Sequence, residues 1–114
     1  MTPNVPLYQA KAELFRTLGH PVRIRVLELL QDGPRAVREL LGDIEVESSS
    51  LSQQLAVLRR AGIVSSSREG SAVVYTLATP DVAQLLLYGR RILASMWSEQ
   101  EDLLAELRGS AGAV

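Results

Sequence analysis

The sequence contains no cysteine, and this absence excludes several classes of protein. Without cysteine there is no disulfide framework, no thiolate nucleophile and no cysteine-based metal site. Histidine occurs once, at His20, whereas a zinc-type centre needs several nitrogen or sulfur ligands. We therefore expect no bound metal and no disulfide-stabilised secreted domain.

Long apolar runs and a leader sequence are also missing. No stretch approaches the roughly 18 apolar residues of a membrane span. The N-terminus, MTPNVPLYQAKAELF, has no basic region followed by an apolar block. The 114 residues suffice for one domain with a modest core. We expect a single-domain cytoplasmic protein.

Catalytic motifs are lacking too. The chain has no glycine-rich phosphate loop and no histidine and carboxylate set at a spacing that suggests paired roles. Its serines have no general base nearby in the sequence. We therefore predict that the protein is not an enzyme and carries no cofactor.

The most informative segment that is present is SSSLSQQLAVLRRAG, residues 48–62. Leu51, Leu55 and Leu58 fall at i, i+4 and i+7, which predicts a helix with one face docked on a core. The other face carries hydroxyls and primary amides without an acid, which suits a helix in the DNA major groove. The alternative is a polar face that meets only solvent. We predict base-edge contacts from Ser49, Ser52 and Gln53, and phosphate or capping roles for Ser48, Ser50 and Gln54.

Positive charge is concentrated on and just behind this segment, although the net charge of the chain is −1. Within residues 48–75, Arg59, Arg60 and Arg68 face only Glu69. Arg68 is predicted to reach the DNA backbone or minor groove, whereas Arg59 and Arg60 either contact phosphate or complement the helix dipole. For Arg23 and Arg25, phosphate contact and an intramolecular ion pair both remain open.

The remaining elements follow from turn and breaker residues. The first helix is predicted over residues 7–18, the second begins at Pro21 with His20 as its cap, and the third covers residues 36–41. The fourth begins at residue 48 or, if Ser50-x-x-Gln53 forms a capping box, at residue 50. We favour the start at 48. Gly62 ends that helix, and a hairpin with a turn at residues 69–71 follows. Within the single domain 1–114 we predict an arm at 1–6, a helix-turn-helix at 35–62, a wing at 63–78, a dimerisation helix at 80–108 and a tail at 109–114. The fold class is mainly α with a small β-hairpin, a winged helix-turn-helix in the order α-α-α-α-β-β-α.

The last helix has a longer apolar stripe than one small core can absorb. Together with the first helix it predicts a homodimer that presents two copies of the polar-faced helix to two DNA half-sites. The interface is predicted from Leu7, Tyr8, Leu14, Leu85, Tyr88, Ile92, Met96 and Trp97. The aromatic side chains of Tyr8, Tyr88 and Trp97 also suggest a pocket for an unknown small-molecule effector, although interface or core packing would explain them equally. Tyr75 is predicted to lie in the core under the wing.

Three pieces of the sequence, LFRTLGHPVRIRVLELL, SSSLSQQLAVLRRAGIV and SREGSAVVYTL, together resemble the ArsR–SmtB family of bacterial winged-helix repressors. They cover about half the chain in the right order. The resemblance implies a homodimeric transcriptional regulator, usually a repressor released by an effector, that binds an inverted-repeat operator in double-stranded DNA. The alternative is a winged-helix module that associates with proteins and has no specific DNA binding.

The chain departs from this family at its metal-sensing positions. Many members carry a Cys-x-Cys site in the third helix, where this chain has RAVRELLGD. Others use Asp and His pairs on the last helix, where DVAQLLLYGRRILASMW contains no histidine. Metal sensing through those sites is therefore excluded.

Overall fold

A computed structural model describes residues 4–112, which divide into two compact units at the boundary between Ala83 and Gln84. The first unit holds four helices and a three-stranded sheet, and the second is formed by the continuation of one long helix. Residues 1–3 of the predicted arm and residues 113–114 of the predicted tail lie outside the described residues.

The first two helices begin and end where local sequence signals predict. Helix α1 spans Leu7–Leu18 and helix α2 spans Pro21–Leu30. The Nδ1 atom of His20 accepts a hydrogen bond from the backbone N–H of Val22 at 3.1 Å, which confirms the predicted capping role. Proline at the first helical position loses no hydrogen bond there. Helix α2 and the two helices that follow it supply deeply buried apolar side chains of this unit: Val26, Leu27, Leu30, Leu40, Leu51, Leu55 and Leu58.

A short strand that the sequence does not predict precedes the third helix. Strand β1, Arg35–Ala36, leads directly into helix α3, Val37–Asp43. The predicted helix start at Ala36 is one residue early, because Ala36 is extended and its N–H donates to the Glu39 carboxylate at 3.0 Å. This side-chain hydrogen bond satisfies an N–H group at the helix start.

Helix α4, Ser48–Arg60, begins at the earlier of the two predicted positions. The N-cap residue is Glu47, so Ser50 is the third residue of the helix and the predicted Ser50-x-x-Gln53 capping box is absent. Leu51, Leu55 and Leu58 are at most 1% exposed, as their spacing predicts.

Gly62 ends α4 in a conformation that glycine favours. Its φ is +77°, its N–H donates to the Arg59 carbonyl at 3.0 Å, and the N–H of Ile63 donates to the Leu58 carbonyl at 3.0 Å. These two bonds form a Schellman motif, which satisfies carbonyls at the helix end. The chain then turns directly into the sheet.

We predict that Gly62→Ala lowers the free energy of unfolding by about 1 kcal/mol, because a β-carbon strains a backbone with positive φ. Gly42→Ala is the matched control, since Gly42 lies within α3, has no positive φ and leaves open space where the β-carbon of an alanine would lie. The control should raise the unfolding free energy by roughly 0.5–1 kcal/mol. Urea denaturation of both variants checks the pair, and equal effects would contradict this account of Gly62.

The wing is an antiparallel hairpin with a third strand at its edge. Strand β2, Val64–Glu69, pairs with β3, Ala72–Leu77, and β3 also pairs with β1, so the sheet order is β1-β3-β2. The two-residue connection begins with Gly70, whose φ of +64° fits a tight hairpin turn. The predicted hairpin and its turn are confirmed.

Helix α5 spans Asp81–Gly112 and continues four residues past the predicted end at 108. The N–H of Asp81 donates to the Thr79 hydroxyl at 3.3 Å, which marks the start of the helix. Residues 109–112 continue the helix because adding a residue to an existing helix avoids the cost of nucleation. Between residues 4 and 112, no helix is long and apolar enough to cross a membrane.

Candidate nucleic-acid interface

The outward face of α4 is polar and free of acidic residues. Because Leu51, Leu55 and Leu58 fix the buried side, a rotation of 100° per residue places Gln53 roughly 170° from the centre of that side. Ser49 lies one turn before Gln53 on the same outward face. Both side chains are exposed, as is that of Ser52. The three residues predicted for base contacts are therefore available to a partner.

The other predicted α4 residues occupy different positions. Ser48 is exposed in the first turn, whereas Ser50 and Gln54 are half-buried. Neither Ser50 nor Gln54 caps the helix, because both lie inside it. Phosphate contact and helix capping were the two predicted roles of these residues. Phosphate contact is the one that remains a prediction.

Gln54 makes a direct contact with α2. Its Oε1 accepts a hydrogen bond from Nε of Arg23 at 2.7 Å, and a second Arg23 nitrogen donates to the Thr17 carbonyl at 3.0 Å. The guanidinium thus joins the end of α1 to α4. Among the described residues Arg23 makes no ion pair, whereas Arg25 pairs with Glu28 at 3.4 Å.

Several arginines beside α4 have no acidic partner. In the part of the chain that the structure describes, the ion pairs involve other arginines, among them Arg35, which pairs with Asp43 at 3.4 Å. Arg59 and Arg60 are exposed in the last turn of α4, and Arg68 is exposed two residues before Gly70 at the wing turn. Their charge is available to a negatively charged partner.

A groove of about 490 Å³ lies between α3, α4 and the wing. Polar groups in its lining include Arg38, Ser52, Ser71 and Tyr75. Tyr75 is half-buried here, so the prediction that it lies in the core is wrong: β3 is flanked by the groove. The groove therefore has both Ser52 of α4 and Arg38 of α3 in its lining.

Arg38 is a candidate that the sequence reading missed. It is exposed on α3, on the side away from the fully buried Leu40. A signal was available, because no acidic residue stands three or four positions from Arg38 on either side. An arginine without such a helical partner is free to serve another contact.

The described residues contain no group of three or more His, Asp or Glu side chains that could hold a metal ion. His20, the one histidine, uses Nδ1 to cap α2. The arrangement around α4 instead offers hydroxyls, amides and guanidinium groups, which suit phosphate oxygens and base edges.

The residues predicted for a dimer interface are largely exposed within their own units. In the first unit Leu7 and Tyr8 are 70% and 72% exposed, and Leu14 is exposed as well. In the second unit, Leu85 is half-buried, and the exposed members of the predicted set are Tyr88, Ile92, Met96 and Trp97. The guanidinium carbon Cζ of Arg91 lies 5.1 Å from the ring centre of Tyr88.

Comparison with known proteins identifies the class of this arrangement. Residues 20–66, from the α2 cap into β2, match the model of the bacterial regulatory protein arsR family. An HTH-type transcriptional regulator of Mycobacterium tuberculosis, Rv0081, is 52% identical over 109 residues, which cover 95% of this chain and 96% of that protein. The chain belongs to the ArsR family. As in its relatives, the winged helix-turn-helix serves transcription regulation.

Several solved structures share the fold. The crystal structure of M. tuberculosis Rv0081 superposes with a TM-score of 0.77 at 54% identity, covering 85% of this chain and 98% of that one. The transcriptional repressor BigR from Xylella fastidiosa gives a TM-score of 0.70 at 38% identity over 75% of this chain and 87% of that one. A homodimeric winged helix-turn-helix DNA-binding domain, Mb0332 from Mycobacterium bovis, gives a TM-score of 0.68 at 25% identity, covering 84% of this chain and 94% of that one.

Proposed function

We propose that this ArsR-family regulator is a homodimeric repressor that binds an inverted-repeat operator, with one α4 in the major groove of each half-site. The observation that carries this proposal is the outward face of α4. Ser49 and Gln53 are exposed there on a helix without any acid, Ser52 is exposed on the flank that faces the groove beside α3, and the opposite face is fixed by buried leucines. Such a face can approach bases without repelling the phosphates.

The arginines beside α4 supply the electrostatic part of this binding. We assign backbone contact to Arg68 in the wing, to Arg59 and Arg60 at the end of α4, and to Arg38 at the groove. Each is exposed and without an ion pair among the described residues. Affinity for DNA should therefore fall steeply with salt, because each neutralised phosphate releases counterions.

A salt titration tests the proposal on the DNA upstream of the protein's own gene. Fluorescence anisotropy should show tighter binding to this DNA than to a shuffled duplex of equal length. Arg68→Ala should lower the slope of log K against log salt by about 1.8, since each of two protomers loses one contact worth about 0.9. Arg108→Ala, an exposed arginine on α5, is the control and should leave the slope unchanged.

The rival hypothesis is a winged-helix module that binds proteins and no specific DNA. It predicts equally weak binding to the upstream and the shuffled duplex. It also predicts that Arg68→Ala leaves the slope of log K against log salt unchanged. The family membership and the repressor names of relatives support the DNA-binding alternative. The same support favours a cytoplasmic regulator without enzymatic activity.

The signal that releases the operator is proposed to be a small molecule. The aromatic side chains that suggest it, Tyr8 in the first unit and Tyr88 and Trp97 in the second, are each exposed within their own unit. A thermal-shift and DNA-release screen of cellular metabolites should find a compound that alters both readouts. A screen in which no compound changes either readout would count against an effector pocket.

A further inference from the structure

The contact between Arg23 and Gln54 constrains what the recognition helix can offer to DNA. Arg23 lies in the first turn of α2 and Gln54 lies in the middle of α4, and both side chains are half-buried. The Nε–Oε1 distance is 2.7 Å, and the Thr17 carbonyl accepts from a second nitrogen of the same guanidinium. Two hydrogen bonds on one planar group hold its orientation.

The chemistry of the two side chains decides which atoms remain free. A guanidinium group only donates hydrogen bonds, so the amide oxygen of Gln54 must face it. The oxygen keeps a second lone pair, but it is turned towards Arg23, so the amide nitrogen, which only donates, is the group that Gln54 presents on its other side. A glutamine that recognises adenine presents its oxygen and its nitrogen side by side to the base. Gln54 is therefore less suited to that contact than Gln53, whose amide makes no hydrogen bond among the described residues.

The position of Gln54 on the helix agrees with this limit. It lies roughly 70° from the centre of the buried leucine face, on the flank next to α2, whereas Gln53 points away from the core. In a helix laid into the major groove, a half-buried side chain next to the rest of the protein lies nearer the sugar-phosphate wall than the base edges, which the outward face approaches. Phosphate oxygens accept hydrogen bonds and do not donate them.

We propose that Arg23 is a positioning residue that makes Gln54 a dedicated hydrogen-bond donor to a backbone phosphate on the α2 side of the recognition helix. This inference rests on the proposed DNA binding by α4 and assigns the two neighbouring glutamines different tasks. Gln53 contributes to sequence preference. Gln54 fixes the register of the helix on the duplex.

The first test compares Gln54→Glu with the same change at the neighbouring Gln53. A glutamate at position 54 can still accept from Arg23, so the melting temperature should not fall, but it presents an oxygen to the phosphate. Binding to the operator and to every single-base variant of it should weaken by about the same factor, roughly tenfold or more. Gln53→Glu should instead change the preference at one base position, because glutamate accepts from cytosine.

Two outcomes would overturn the assignment of Gln54. A changed base preference in Gln54→Glu would make Gln54 a base-contacting residue. Unchanged affinity in Gln54→Glu would leave it a purely structural partner of Arg23. If the unaltered protein shows no preference for its operator over shuffled DNA, the proposed function itself fails, and this result is recorded before either variant is measured.

The second test asks whether Arg23 acts through Gln54. Arg23→Lys keeps the positive charge but loses the planar guanidinium group, whose separate N–H donors bond both Gln54 and Thr17. It should weaken operator binding about three- to tenfold in the unaltered chain and have almost no effect when Gln54 is already alanine. Equal losses in both backgrounds would show that Arg23 does not act through Gln54. Melting temperatures of all four proteins separate this coupling from a loss of fold.

Discussion

Replacing Ser52 and Gln53 together by alanine should weaken operator binding roughly a hundredfold or more, with binding to shuffled DNA changed by no more than about twofold. A good bidentate contact is worth about 1–3 kcal/mol of discrimination, and a symmetric dimer loses each contact twice. Both side chains are exposed and make no hydrogen bond to the rest of the described chain. Anisotropy titrations on the two duplexes measure the effect.

The fold of this double variant should be intact. Alanine has a higher helix propensity than serine or glutamine, so the melting temperature should stay the same or rise. The matched control is Ser98→Ala with Gln100→Ala, two exposed polar residues of α5 outside the candidate interface. If the control pair loses as much operator affinity as the α4 pair, the outward face of α4 has no special role in DNA binding.

Ile92→Glu should convert the proposed dimer into a monomer at micromolar concentration. On α5, the apolar side chains Tyr88, Ile92, Met96 and Leu103 lie on one face and are 52–61% exposed in the single chain. Soluble monomers rarely expose contiguous apolar patches of this kind, and a symmetric dimer would bury the face against its own copy. A glutamate in the centre would then be buried without a partner in both protomers.

The size of this effect follows from the cost of an unpaired buried charge, several kcal/mol at each position. The dimer dissociation constant should rise at least about a hundredfold, and operator affinity should fall with it, because a monomer reaches one half-site only. Ser98→Glu places the same residue on the opposite, polar side of α5 and should leave the dimer intact. Sedimentation velocity of the Ile92→Glu and Ser98→Glu proteins measures whether each is a monomer or a dimer. A monomeric unaltered protein, or a dimer that survives Ile92→Glu, would contradict the assigned interface.

The helices and the hairpin were predictable because their boundaries depend on local chemistry. His20 and Pro21 mark the start of α2, and Gly62 and Gly70 occupy backbone conformations that other residues disfavour. The leucine stripe of α4 identified the buried face because its spacing matches one turn of a helix. These signals lie within a few residues of the feature they determine.

Strand β1 was not predictable, because two residues cannot show a strand period and its partner strand lies almost forty residues later. The Arg23–Gln54 hydrogen bond has the same character, since the two residues are 31 positions apart and only the packing of α2 on α4 brings them together. The capping box at Ser50 failed for a different reason. The pattern is present, but Glu47 and Ser48 already extend the helix before it.

The candidate DNA-contacting residues were placed by composition and helical phase, and the structure refines how they differ. Gln53 and Gln54 are adjacent in sequence, yet one points outward and the other is held by a guanidinium. Arg38 has no acidic residue three or four positions away in the sequence, which distinguishes it as a cation without a helical partner. Phase within α4 alone could not reveal a cation contributed by α3.

The most direct test of the proposed function is a hydroxyl-radical footprint of the protein on the DNA upstream of its own gene. We predict two protected half-sites related by a two-fold axis, with centres about one helical turn, roughly 10 base pairs, apart. The Ser52→Ala, Gln53→Ala protein should lose this protection at equal concentration. Uniform protection along the whole fragment, or a single protected site unaffected by the double substitution, would contradict the proposal that two copies of α4 recognise an inverted repeat.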